Sequence, residues 1–99
     1  MKSYTIESYD SADADIEAAF HWYQTEQTGL GLEFLDELRA AYRRIAGGPP
    51  KYEEVRSGIR RGLTRRFPYA IYFVMEKENV VVVAVLHTGR DPAEWQWRL

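Results

Sequence analysis

Seven consecutive residues, Val80-Val81-Val82-Val83-Ala84-Val85-Leu86, carry no polar side chain. The run is too short to cross a bilayer, which takes about 20 apolar residues. It is dominated by β-branched valine, and a short apolar, β-branched run of this kind reads as a central strand covered on both faces, Val80 to His87. The rest of the chain therefore has to supply strands on either side of it and a layer packed against it.

The flanking sequence offers both. Tyr69 to Glu76 alternates, with Tyr69, Ile71, Phe73 and Met75 on one side, and Lys77-Glu78-Asn79 makes the turn into the apolar run. Ile59 to Arg65 is the preceding strand, followed by a turn at Arg66-Phe67-Pro68, where proline cannot donate to a ladder. Lys2 to Tyr9 reads as a short first strand, with Tyr4 and Ile6 on one face, broken by Asp10-Ser11. Ser11 or Asp13 can cap a helix there, and Asp13 and Asp15 put negative charge in its first turn. Ile16, Ala19, Phe20 and Tyr23 follow at helical spacing until Gly29. A second helix, Leu30 to Ala46, repeats Phe34 or Leu35, Leu38, Ala41 or Tyr42, and Ile45, and Gly47-Gly48-Pro49-Pro50 stops it. Asp91-Pro92-Ala93-Glu94 has the form of an N-cap before a short helix, Pro92 to Arg98. The predicted order is β-α-α-β-β-β-(α) in one domain, residues 1–99. It is an α+β fold with a helical hairpin on one face of a mostly antiparallel four-stranded sheet, the first strand joining its edge.

The absence of cysteine removes disulfides, thiolate metal sites and cysteine nucleophiles. His21 and His87, the two histidines, do not make a zinc signature, and no cofactor or metal is expected. The start of the chain has no long apolar segment of the signal-peptide kind, so a cytoplasmic protein without membrane contact is the expectation. The net charge is −2, unevenly placed. Acids predominate through residues 1–47. Between Val55 and Met75 stand Arg56, Arg60, Arg61, Arg65 and Arg66 with no acid. Such a stretch is what a polyanion or an acidic peptide would find, although arginine is also common on the solvent side of a strand.

Several stretches in order resemble toxins of the RelE/ParE superfamily, closer to ParE: Asp15-Ile16-Glu17 with Trp22-Tyr23; Gly29-Leu30-Gly31 leading to Phe34-Leu35-Asp36-Glu37-Leu38; Pro49-Pro50-Lys51-Tyr52; Gly58-Ile59-Arg60-Arg61; Arg66-Phe67-Pro68-Tyr69-Ala70-Ile71-Tyr72-Phe73; and Val85-Leu86-His87 before Arg90-Asp91-Pro92. The resemblance covers almost the whole chain. It implies the fold derived above and the toxin half of a type II toxin–antitoxin, plasmid-stabilisation pair, neutralised by a ParD-like or similar cognate antitoxin with which it forms a hetero-oligomer. ParE-like members act against DNA gyrase, and that growth-inhibiting action is the leading expectation, with no enzyme activity.

RelE-like members instead cut mRNA in the ribosomal A site without a metal. On their pattern Arg60 and Arg61 fall near the basic positions of the second strand, Ala70 falls where the third-strand arginine would be, and Arg90 lies close to the last arginine. Trp95 stands near the C-terminal aromatic and cannot exchange a proton. The alternative reading is thus a ribosome-dependent endoribonuclease using Arg60, Arg61, His87 and Arg90, with His87 as acid or base unless it is tied to the backbone or Asp91. A third reading is a non-toxic scaffold that binds an antitoxin. Expected partner contacts are Trp22, Tyr23, Arg56, Arg60, Arg61, Arg65, Arg66, Arg90 and Trp95. The arginines would anchor carboxylates and an apolar groove beside Trp22 and Tyr23 would take an amphipathic helix.

Overall fold

A computed structural model describes residues 4–89 and residue 93. The elements are β1 (Thr5–Ser8), α1 (Asp10–Glu26), α2 (Leu30–Gly47), a 3-10 turn (Pro49–Lys51), β2 (Glu53–Arg56), β3 (Ile59–Leu63), β4 (Tyr69–Glu76) and β5 (Asn79–His87). The expected C-terminal helix lies, apart from Ala93, outside the described residues, as do Arg90 and Trp95. No described helix is long and apolar enough to cross a membrane.

The sheet has five strands in the order β1-β5-β4-β3-β2, one more than the sequence reading gave. The extra strand, β2, has the composition Glu-Glu-Val-Arg and only Val55 is withdrawn from solvent, so it carries no apolar alternation. It exists because Ser57-Gly58 turns it back onto β3, and Gly58 supplies the positive φ of 81° that such a tight hairpin needs. β1 pairs parallel with β5, and the other pairings are antiparallel. Val80 to Leu86 is buried throughout, as its composition required. A bulge opposite Tyr72 and Phe73 resets its parity: Val80, Val82 and Val85 face Leu38, Ala41, Ile45, Ile71 and Phe73, while Val83, Ala84 and Leu86 join Ile59, Ala70 and Tyr72 in a second apolar cluster.

β1 is only four residues long, so the upper half of β5 has no strand on that edge. Tyr9 and the first turns of α1 serve it instead. The Tyr9 N–H donates to the Val82 carbonyl (2.9 Å), the Ser11 hydroxyl donates to the Val83 carbonyl (3.2 Å), and the Asp15 carboxylate accepts from the Val85 N–H (3.0 Å). The helix consequently starts at Asp10 after Tyr9, with no side-chain cap. Ser11, expected to cap it, is drawn to the strand edge, because an open β edge offers backbone groups that need partners.

The two helices form the predicted hairpin. Gly29, at φ 92°, lets the chain reverse, and the side-chain oxygen of Gln24 accepts from the Gly29 N–H (2.9 Å) and the Gly31 N–H (2.8 Å), serving the N-terminus of α2 from the body of α1. At Gly31 the helices touch: a Cβ would lie 2.7 Å from the Phe20 carbonyl oxygen.

Candidate functional site

The segment between α2 and β5 carries the arginines singled out by the sequence, and the sheet distributes them by strand parity. Arg60 stands opposite Phe73 and Arg61 opposite Tyr72, so the two adjacent arginines point to opposite faces. Arg60 turns to the helix side and donates to the carbonyls of Tyr52 (2.7 Å) and Pro50 (3.3 Å), holding the link between α2 and β2 in place. Arg61, on the far face, meets the Glu53 carboxylate at 2.7 Å. Burial works against the Arg61 charge, but hydrogen bonds with Glu53 and Tyr72 more than offset it, so its pKa is raised.

The turn that follows is clasped by α2. The Glu37 carboxylate accepts from the Arg65 N–H (2.7 Å) and the Arg66 N–H (3.2 Å), and the Arg66 guanidinium meets Glu33 at 2.6 Å while lying 4.7 Å above the Phe67 ring. Those contacts hold Phe67 at φ 70°, a backbone region that bulky residues rarely occupy. The segment without acids is therefore answered by acids from elsewhere, Glu33 and Glu37 on α2 and Glu53 on β2. Arg56 is exposed, and the Arg65 guanidinium has no partner among the described residues.

The restrained turn completes an aromatic cluster. Tyr23 contacts Phe67 (4.8 Å between ring centres), Phe34 (5.4 Å) and Tyr69 (6.1 Å). Tyr23 is 8% exposed, so its ring is a packing element of this cluster. Burial, and then the neighbouring Tyr69, raise its pKa. Trp22, one residue earlier, faces outward and is 58% exposed, its ring edge-on to Tyr23. The apolar positions of α1 already pointed this way, since Tyr23 continues the Ile16, Ala19 face and Trp22 does not. Beside this cluster, a depression of about 410 Å³ is lined by Leu63, Thr64, Arg65, Phe67, Pro68, Tyr69 and Thr88.

His87 ends β5 with its ring edge-on to Tyr69 (5.5 Å), and its Nδ1 accepts from the Gly89 N–H at 2.9 Å. It is exposed, and it shares the helix side of the sheet with Arg60. Their strand partners Tyr69 and Phe73 are four residues apart, an offset of about 13 Å along the strands, and β4 lies between them. His21 is exposed and lies 3.8 Å from Glu17. Arg60, Arg61 and His87 do not converge on one point, and no cluster of potential metal ligands occurs among the described residues.

Sequence reasoning passed over Glu33 and Glu37, because they act on arginines about 30 positions away and no local pattern announces them. It also passed over Arg43, Arg44 and Lys51, which lie together at the end of α2.

The family model described as the ParE toxin of type II toxin-antitoxin system, parDE, matches residues 6–92. No curated protein matches the chain. Among solved structures, the chain is similar to one from the chromosomal ParDE TA system from P. aeruginosa, with a TM-score of 0.76 and 12% identity over 86% of this chain and 96% of that one. At that identity the likeness carries the fold: two helices on a mostly antiparallel sheet.

Proposed function

The chain belongs to the ParE toxin family of type II toxin–antitoxin systems, and from that premise we propose that it inhibits growth by binding DNA gyrase and is neutralised by a cognate antitoxin. The observation that carries this is the family match over residues 6–92. Gyrase as the target rests on family membership alone.

The geometry favours a binding protein over a nuclease. Cleavage of RNA through its 2'-hydroxyl needs a base, an acid and cations gathered around one phosphate. Arg60 and Arg61 face opposite ways, Arg60 is engaged with backbone carbonyls, and Ala70 is a buried residue of the second apolar cluster. The exposed residues Trp22, Arg56 and Arg65 remain as contacts for the antitoxin.

Expression of the chain alone is expected to arrest bacterial growth, and co-expression of the product of the adjacent gene to restore it. Purified protein should block DNA supercoiling by gyrase, and the antitoxin should relieve the block. Unimpaired supercoiling, together with codon-specific mRNA cuts that an Arg61→Ala variant loses, would overturn this reading in favour of a ribosome-dependent endoribonuclease. Normal growth with retained antitoxin binding would establish the non-toxic scaffold instead.

A further inference from the structure

We propose that the depression at the C-terminal end of α2 receives carboxylates from an acidic segment of the antitoxin, an inference that rests on the toxin–antitoxin reading above. Arg43, Arg44, Gly47, Gly48, Lys51 and Tyr52 line this space of about 390 Å³. Three of the six are cations and none is an acid.

The local chain path assembles them. α2 stops at Gly47, and Pro49–Lys51 forms a 3-10 turn that doubles back on the helix end. Lys51 then lies over Gly48, where an added Cβ would sit 3.3 Å from the Lys51 Cδ. The last turn of α2 contributes Arg43 and Arg44. The negative end of the helix dipole favours cations at this place, so the trio is tolerated before any partner arrives. An added Cβ at Gly47 would meet no atom within 4 Å, which leaves bare backbone for a peptide to approach.

These cations differ from those of the β3–β4 hairpin in having little among the described residues to neutralise them. The Arg44 Nη2 is 3.9 Å from Glu37, beyond hydrogen-bonding distance, because Glu37 is drawn toward the Arg65 and Arg66 N–H groups. That Nη2 is buried and has no hydrogen-bond partner among the described residues. Arg43 and Lys51 are exposed, and no acid pairs with either among the described residues. A guanidinium fork and an ammonium around one opening suit one or two carboxylates, which the fork can grip with paired hydrogen bonds. A nucleic-acid backbone would need a longer basic track to neutralise successive phosphates. This group is compact, and it sits in a chain of net charge −2.

The test is calorimetric titration of the full-length chain with the product of the adjacent gene, at about 50 mM and about 300 mM salt. An Arg43→Glu/Lys51→Glu double variant, whose sites are exposed, should keep the melting behaviour of the unaltered protein. Its affinity should fall at least about tenfold at low salt, with the gap narrowing at high salt. A Lys77→Glu control, a charge reversal at an exposed site in the β4–β5 turn, should shift less. Equal affinity of the double variant at both salt concentrations would overturn the site while leaving the toxin–antitoxin pairing intact. Failure of the unaltered protein to bind would overturn both. Loss of oligonucleotide binding in the double variant with antitoxin affinity unchanged would also overturn it, making this a nucleic-acid surface.

Discussion

Arg60, Arg61, Arg65 and Arg66 lie within seven residues of one hairpin, whereas Arg43, Arg44 and Lys51 are divided between a helix and the turn beyond it. The first group is the denser run of charge in the sequence, and the fold answers most of it: Glu53 meets Arg61, Glu33 meets Arg66, and two carbonyls take Arg60. The second group looks unremarkable in the sequence, set against the acids of the first half of the chain, and the fold leaves it nearly unanswered. Clustering along the chain is therefore a poor guide to free charge. What matters is which acids the neighbouring strand and helix bring up, and a strand separates adjacent arginines onto opposite faces while a helix end and a doubled-back turn can gather distant ones.

The largest expected effect is at Arg60. If it serves the fold, Arg60→Ala should destabilise the protein by about 1.5–3 kcal/mol, the usual worth of charged hydrogen bonds, read as a lower urea midpoint. An unchanged midpoint would mean that Arg60 is a partner contact after all.

Tyr42 lies one residue before Arg43 but turns inward, sharing a 2.9 Å hydrogen bond with Ser8. Burial pushes its pKa up to about 12, against the opposing effect of the Ser8 bond and with some help from Asp13 and Asp15. In the unfolded chain the phenol ionises near 10, so the folded state holds its proton more tightly. The stability this contributes is complete below pH 10 and is lost as the pH rises toward 12. Tyr42→Phe should remove about 1–2 kcal/mol of the alkaline loss between those values, measured as the difference between the two proteins' pH–stability curves. Parallel curves would contradict the burial of this hydroxyl.

Glu37→Ala deprives the Arg65 and Arg66 N–H groups of their carboxylate, and about 1–2 kcal/mol of stability should go with it. The Arg66–Glu33 pair is exposed, so Arg66→Ala should cost less, about 0.5–1 kcal/mol including its contact with Phe67. Lys51→Ala should sit at the bottom of the series, within about 0.5 kcal/mol of the unaltered protein. A larger loss there would show that the end of α2 is built for stability and not for a ligand.

The sequence made the apolar architecture readable and the polar wiring hardly at all. Val80 to Leu86, the 3.6-residue rhythm of both helices and the Gly47-to-Pro50 stop each express a local rule, and each element is where that rule puts it. β2 escaped because its pairing with β3, not its side chains, makes it a strand. Gln24 serving the Gly29 and Gly31 amides, and Asp15 serving Val85, depend on how the helices cross each other and the sheet, which no window of sequence contains. The opposite facing of Arg60 and Arg61 follows from strand periodicity alone once Ile59 to Leu63 is a strand. The acids that reach Arg61 and the turn do not, since Glu33, Glu37 and Glu53 come from other elements.

Titration of the nitrogen-15-labelled protein with inorganic phosphate, following the arginine Nε–H resonances, separates the two regions in one experiment. Arg43 and Arg44 should move and saturate together, while Arg60 and Arg61, already bonded within the chain, should stay where they are. Saturable shifts at Arg60 and Arg61 with Arg43 and Arg44 unmoved would contradict the account and return the anion-binding surface to the sheet.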